Sequence, residues 1–211
     1  MANNSTLMGD AEALLQILND DFSETEGLFE DDVATSIRAY TFYAKTTLEH
    51  ISFPNVITVG EQAFSNCSNL KTINMPKATT IGRSAFSFSG NNTNRMTVVL
   101  PKAAGVFSGV FNRSMIQVCD LGPDVTRLQS DTFYTNVTTK ICLVLILRRT
   151  TDIVTAGSQD SINGLVDVYV PQSLKASYQA ATYWSTNSGI TFHDIEGSEY
   201  EDYYADGTPV E

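Results

Sequence analysis

A short alternation of apolar and polar residues returns along the chain at a fixed distance. It reads I-S-F-P from Ile51 and I-N-M-P from Ile73, 22 residues later. Alternation of this kind predicts a β-strand with one buried face. Proline ends such a strand because its nitrogen cannot donate a ladder hydrogen bond. The pattern therefore predicts one short strand in each repeat.

The repeat extends well beyond the strand. Segments starting at Leu48 and Leu70 match at eight positions, and looser copies follow at spacings of 22, 25, 22, 25 and 23 residues. One unit of this size cannot bury its apolar face alone, whereas stacked units form a continuous core. We therefore expect a solenoid of about six units of 22–25 residues, with the short strands side by side in a parallel sheet.

The repeat register places particular side chains inside this stack. One inward column is expected to contain Ile51, Ile73, Val98, Leu145 and Val168. A second internal row, an aromatic ladder, is expected to contain Phe42, Phe64, Phe86, Phe111 and Phe133. Two units depart from the pattern, since Asp120 stands at the position of Ile51 and Arg148 replaces the proline.

The full motif, I-x-F-P-x4-V-G-x2-A-F-x2-C-x2-L, resembles the leucine-rich repeat of bacterial surface antigen (BspA-like) proteins. The best copies run from Leu48 to Phe86. The resemblance implies an α/β solenoid that is mainly β, with an N-terminal helix and a C-terminal capping helix. Members of this family are adhesion or interaction modules on bacterial surfaces and components of phage virions.

Charge divides the chain into a basic body and two acidic ends. Residues 1–36 contain nine acids and residues 194–211 contain seven, and neither end has a Lys or Arg. We expect residues 1–36 to cap or dock, residues 37–195 to form the solenoid, and residues 196–211 to form an acidic, Tyr-rich tail. Acidic ends repel phosphates, so we expect no nucleic-acid partner.

Both ends of the array also contain candidate helices. At the N-terminal end, Leu14, Leu15, Ile17 and Leu18 are too apolar for a lone exposed helix, so this helix either caps the first repeat or docks on another subunit. At the C-terminal end, Ser173 is a candidate N-cap for a helix over residues 174–184. Leu174, Tyr178 and Trp184 would then close the last repeat.

The sequence contains no set of residues that points to catalysis, and we expect no enzyme, cofactor or metal site. His50 and His193 have no ligand partner at helical spacing, and Cys67, Cys119 and Cys142 have no CxxC spacing. We expect the thiols to be buried as small apolar groups. The longest apolar run, residues 141–147, is too short to span a membrane, so no membrane insertion is expected.

The outward positions of the strands form the candidate contact surface. They are Ser52, Asn74, Val99, Ile146 and Tyr169, which change from polar to apolar along the array. A freely solvated face rarely exposes contiguous apolar area. Two explanations remain open: the chain's own tail covers the apolar end, or a partner or receptor binds there.

The resemblance, the lack of a signal-peptide pattern, the compact body of about six units and the ends that look like docking segments favour a non-enzymatic structural or adhesion protein of a bacteriophage virion, made in the host cytoplasm. Its expected partners are other virion proteins, with a host cell-surface receptor as a further candidate. We expect a homo-oligomer, with a trimer favoured, organised by residues 1–36. The alternatives are a bacterial cell-surface adhesin and an intracellular interaction scaffold. Both a tail or baseplate component and a head fibre or capsid decoration fit these observations.

Overall fold

The structure is a computed structural model, and it describes residues 27–136 and 138–201. Fourteen short strands and little helix make up these two stretches. The strands are β1 (Leu28–Glu30), β2 (Ser36–Ile37), β3 (His50–Ser52), β4 (Thr58–Val59), β5 (Thr72–Asn74), β6 (Thr80–Ile81), β7 (Met96–Leu100), β8 (Gly105–Val106), β9 (Ile116–Leu121), β10 (Arg127–Leu128), β11 (Cys142–Leu147), β12 (Thr155–Ala156), β13 (Leu165–Val170) and β14 (Thr191–Asp194). One α-helix, α1 (Lys175–Ala180), and 3-10 helices at Gln159–Ser161 and Gln172–Leu174 complete the elements.

The main sheet is parallel and contains eight strands in the order β1-β3-β5-β7-β9-β11-β13-β14. This confirms the mainly β solenoid, which has about seven turns where about six units were expected. The expected inward column is also confirmed, because all five of its residues are at most 3% exposed. In register, the complete inward row is Phe29, Ile51, Ile73, Val98, Cys119, Leu145, Val168 and Phe192.

The placement of Asp120 in the inward column is wrong. Val98 pairs with Cys119, and Asp120 pairs with Val99. The step from Val98 is therefore 21 residues rather than 22, and a shift of one residue moves every side chain of a strand to the opposite face. Cys119 is inside the core, and Asp120 belongs to the outer face of the sheet.

Each turn of the solenoid contains two strands for most of its length, not the single strand that was expected. The second set forms a four-stranded sheet, β2-β4-β6-β8, and a pair, β10-β12. Each of these strands has only two residues, too few for a period-2 pattern to be recognised. Their second residues point inward, as Val59 and Ile81 show, with exposures of 1% and 0%.

A third side of each turn, which we call the turn wall, has no strand but still hydrogen-bonds from unit to unit. The N–H groups of Tyr40, Phe42 and Ala44 donate to carbonyls of the next unit at 3.0, 2.8 and 2.8 Å. Left-handed backbone at Tyr40 (φ 63°) and Ala44 (φ 58°) turns these N–H groups to the same side. Equivalent sets start at Gln62 and Ser84.

The glycines of the motif allow the units to approach closely at the start of the turn wall. A Cβ on Gly60 would lie 2.4 Å from the backbone nitrogen of Ala39, and a Cβ on Gly82 would lie 2.7 Å from the backbone of Gly60. Any side chain at these positions would therefore push two turns apart.

The aromatic ladder is confirmed. Its five rings are fully buried, with centroid separations of 4.9, 5.3, 5.9 and 5.4 Å and interplanar angles between 5° and 20°. Offset stacking at this distance is favourable beyond the area it buries. The ladder joins the units into one core, which also contains the free thiols of Cys67, Cys119 and Cys142.

The solenoid starts earlier than the expected boundary at residue 37. Strands β1 and β2 contain residues 28–30 and 36–37, and β1 pairs with β3 across the main sheet. These strands therefore belong to the stack rather than to a separate docking segment. The candidate docking residues Leu14, Leu15, Ile17 and Leu18 lie outside the described residues.

The C-terminal cap differs from the expected helix. Helix α1 ends at Ala180, and Ser173 makes no capping hydrogen bond because it lies in the preceding 3-10 turn. Tyr178 and Trp184 nevertheless close the array as expected. The Tyr178 hydroxyl accepts from the N–H of Val154 at 2.8 Å, and Trp184 Nε1 donates to the carbonyl of Val154 at 3.0 Å.

Candidate interaction surface

Register places the outward side chains of the main sheet in two columns, which together form its outer face. The first column contains Leu28, His50, Thr72, Thr97, Val118, Val144, Asp167 and Thr191. The second contains Glu30, Ser52, Asn74, Val99, Asp120, Ile146, Tyr169 and His193. The five residues of the candidate contact surface all lie in the second column.

The N-terminal part of the outer face, formed by residues 49–52 and 71–74, is polar and open; we call it the open part. Thr72 and Asn74 are exposed, and Ser52 is half-buried. Cross-strand hydrogen bonds join His50 Nδ1 to Thr72 Oγ1 at 2.7 Å and Asn74 Nδ2 to Ser52 Oγ at 3.1 Å. These bonds hold the side chains in a flat, ordered array.

A salt bridge between Lys71 and Glu49 lies at the edge of the open part. The hydrogen bond from the Lys71 ammonium lowers the pKa of the Glu49 carboxyl. Both side chains are about a third exposed, so water screens their attraction. The pair therefore adds charge of both signs beside the strands rather than strong structural support.

The C-terminal part of the outer face is apolar and covered. Val118, Val144 and Ile146 form a small second core under Ile195 and Tyr200, and Ile146 has no exposed surface. Of the candidate contact residues, Val99 and Ile146 are buried and Tyr169 is partly buried, and Ile146 and Tyr169 belong to this cluster. Of the two explanations for the apolar end of this face, the packing of Ile195 and Tyr200 on it agrees with cover by the chain's own tail.

Aromatic contacts surround Tyr169. Its ring stacks on the imidazole of His193 at 4.8 Å and meets the ring of Tyr200 edge-on at 4.6 Å. His193 Nε2 lies 2.7 Å from Asp167 Oδ1, and Lys175 Nζ lies 2.9 Å from Asp194 Oδ2. These contacts join the last strands to the cap and to the tail.

Asp120 and Arg148 form a bidentate pair beneath the tail. Arg148 Nε and Nη2 donate to the Asp120 carboxylate at 2.9 and 2.8 Å. The same guanidinium donates to the main-chain carbonyls of Tyr200 at 2.9 Å and Glu201 at 3.2 Å. Burial raises the pKa of Asp120, and the hydrogen bonds from Arg148 act against that rise.

The sequence contains a signal for this pair. Asp120 and Arg148 are two departures from the motif in consecutive units, with opposite charge. With Asp120 assigned to the core, they could not be placed on the same face. Adjacent departures of opposite charge predict a salt bridge once the 21-residue step is known.

Two exposed tyrosines of the first unit were also missed. Tyr40 and Tyr43 lie on the turn wall, 52% and 46% exposed, with ring centroids 6.0 Å apart. Gln62 Nε2 donates to the Tyr40 hydroxyl at 3.1 Å. Since the equivalent positions in the next unit are Gln62 and Ser65, the repeat pattern contains no aromatic signal here.

The thiols are chemically protected. Burial raises the pKa of Cys67 to about 12 and raises the pKa of Cys119 and Cys142 as well. A nucleophilic cysteine needs a lowered pKa and access to solvent. In the two described stretches, no group of three or more His, Cys, Asp or Glu residues is placed to bind a metal ion.

The stacked units and their ladder define a leucine-rich-repeat solenoid. Residues 33–154 match the BspA type leucine rich repeat region in six copies. The chain therefore belongs to the BspA-type leucine-rich-repeat family. Proteins of this type are typically non-enzymatic scaffolds for interaction or adhesion. No curated protein sequence matches the chain.

Two solved structures are similar to this chain. A leucine-rich repeat protein from Bacteroides ovatus has 15% identity and a TM-score of 0.44, over 81% of this chain and 54% of that protein. The pneumococcal vaccine antigen PcpA has 11% identity and a TM-score of 0.43, over 80% of this chain and 40% of the antigen. The chain thus spans about half or less of either protein.

The described part of the chain contains no helix with the length and apolar character needed to cross a membrane.

Proposed function

We propose that the chain is a non-enzymatic interaction protein that recognises a protein partner through the open part of its outer face. The observation that carries this proposal is the ordered polar array of His50, Ser52, Thr72 and Asn74, which lies on a rigid sheet and stays accessible. Strands in a sheet lie about 4.8 Å apart, so the array presents donors and acceptors at fixed spacing.

The rest of the main sheet supports this choice of surface. Its inner face packs in the main core, and the C-terminal part of its outer face lies under the tail. A partner that approaches the sheet therefore meets the open part first. Polar groups arranged on a rigid scaffold favour specificity because little conformational freedom is lost on binding.

We propose further that this interaction takes place in a bacteriophage virion, where the partner is another virion protein or a host cell-surface receptor. The resemblance to a family that includes virion components supports this assignment, as do the acidic ends of the chain. The second candidate is a bacterial cell-surface adhesin, and the third is an intracellular scaffold. A homo-oligomer, with a trimer favoured, remains part of the proposal.

Two measurements test the location. Mass spectrometry and immunogold labelling of purified phage particles should detect the chain in the particle. Detection in the envelope of uninfected bacteria would instead support the adhesin, and detection only in the cytosol would support the scaffold.

Light scattering of the purified full chain tests the oligomeric state. It should give a multiple of the 23.1 kDa protomer mass, and a monomer would contradict the oligomer.

A matched pair of substitutions tests the surface. Asn74→Arg places a bulky charge in the open part, and Thr58→Arg places the same charge at an exposed position on the second sheet. We expect the Asn74 variant to lose binding to phage particles or host cells, measured with labelled protein, and the Thr58 variant to retain it. Equal binding by both variants would contradict the proposed surface.

A further inference from the structure

The C-terminal tail starts at Ile195, one residue earlier than expected, and its described residues 195–201 bind the outer face without adding a strand to it. The last ladder strand ends at Asp194, and the chain then crosses the apolar part of the sheet. Only two tail side chains pack there, Ile195, which is 7% exposed, and Tyr200, five positions later. Glu196, Gly197 and Glu199 between them are exposed.

The surface beneath the tail, which we call the tail seat, combines an apolar floor with a main-chain donor. Val118, Val144 and Ile146 form the floor, and Arg148 donates to the carbonyls of Tyr200 and Glu201. The carboxylate of Asp120 holds the guanidinium in place from the other side. Main-chain carbonyls are present in every peptide. The bonds from Arg148 therefore place no requirement on the side chains of the two residues whose carbonyls accept them.

The tail seat is separate from the main core of the solenoid. Its apolar residues form their own cluster on the opposite face of the sheet from the aromatic ladder. The tail contributes no strand to the main sheet. Segments with few buried apolar contacts open locally at a lower free energy than the whole fold. Apart from Arg148, the tail is held to the body by two hydrogen bonds among the described residues, from the N–H of Ile195 to the Val170 carbonyl at 3.0 Å and from the N–H of Gln172 to Glu196 Oε2 at 2.8 Å. We expect these few contacts to let the tail leave its seat while the solenoid stays folded.

We propose that the tail seat is a peptide-binding site and that the chain's own tail occupies it as an intramolecular competitor. Its ligand is a partner segment with a branched aliphatic residue followed five positions later by an aromatic residue, whose main-chain carbonyls reach Arg148. This inference rests on the proposed function, because the same partner would contact the open part of the outer face and then displace the tail.

The probe is a fluorescein-labelled peptide with the sequence DIEGSEYE, which is residues 194–201. Fluorescence anisotropy measures its binding to the full chain and to the full-length Tyr200→Ala variant, which weakens the tail and leaves the seat intact. We expect the variant to bind the peptide at least tenfold more tightly than the unaltered chain. A control peptide with Ala at the tyrosine position should bind neither protein.

Equal affinity of both proteins for the peptide, or equal binding of the control peptide, would overturn the proposal. If the Tyr200→Ala variant did not melt cooperatively, hydrogen exchange of the unaltered chain would test instead whether the tail leaves its seat. The tail amides should exchange at least tenfold faster than the amides of β11 and β13, and equal protection would show that the seat never opens. Asn74→Arg should leave peptide binding unchanged, which separates this outcome from failure of the proposed function.

Discussion

Strands β3 and β5 differ from strands β9, β11 and β13 although all five share one inward row. The first two have three residues each and polar outer side chains, whereas the last three have six each. The longer strands carry the apolar positions that the tail covers. The repeat core thus fixes the residues of the inner face in every strand. The strand length and the polarity of the outer side chains differ according to whether solvent or the tail lies over that strand.

The largest expected effect tests the core that both regions share. Phe64→Ala should lower the free energy of unfolding by about 3–5 kcal/mol, because it leaves a cavity in the stacked ladder. Phe133→Ala, at the C-terminal end of the ladder, should lower the free energy of unfolding by a similar amount. Denaturant unfolding measures both values. A loss below about 1 kcal/mol at either position would show that the ladder does not join the two regions.

The second-largest effect compares the contribution to stability of one salt bridge from each region. Arg148→Ala should cost about 3 kcal/mol, because it leaves the buried Asp120 carboxylate without its partner. Lys71→Ala, which removes the exposed pair of the open part, should leave the melting temperature unchanged within error. Thermal unfolding of both variants checks this contrast. Equal shifts would mean that the tail does not bury the Asp120 pair in solution.

A smaller effect compares two positions of the same outer column. Ile146→Thr should cost about 2 kcal/mol, since it buries a hydroxyl in the apolar seat. Asn74→Ser, an exposed change in the open part, should stay within about 0.5 kcal/mol of the unaltered chain. Urea unfolding of both variants measures the difference. A neutral Ile146 variant would indicate that the tail does not cover this position.

The smallest expected effect is the reactivity of the thiols in the folded state. With a pKa of about 12, Cys67 is a thiolate in only about one molecule in ten thousand at pH 8. Cys119 and Cys142 are equally buried. We expect none of the three to react with Ellman's reagent until the chain is unfolded. Selective labelling of Cys119 or Cys142 would show that the C-terminal region opens as far as its core.

The regular units could be predicted from sequence because their 22-residue period repeats apolar residues of one shape. Ile51 and Ile73 identified the inward row, and Phe64 and Phe86 identified the ladder. The two-residue strands escaped prediction, since they are shorter than one period of alternation. The position of Asp120 escaped it because one 21-residue step inverts the parity of a strand, and spacing alone does not show where that residue is lost.

The tail seat could be predicted only in part. The change from polar to apolar at outward positions indicated that something covers Val99 and Ile146. The packing of Ile195 into the cluster that contains Ile146 could not be predicted, because residues after the last repeat have no register to place them. The pairing of Arg148 with the tail carbonyls depends on backbone geometry that no side-chain pattern records.

The turn wall makes the two ends of the array electrically different. Every ladder N–H in it points toward the following unit, so the peptide dipoles add along the solenoid axis. At the C-terminal end the Ser161 carbonyl accepts from Phe133 at 3.0 Å and Asn163 Oδ1 accepts from Thr135 at 2.9 Å. The first four boundaries of the turn wall each have three main-chain donors and three main-chain acceptors in the same order, and their donor sets start at Tyr40, Gln62, Ser84 and Gly109. Insertion of one more 22-residue unit among these four boundaries would therefore keep the same hydrogen bonds on both of its sides.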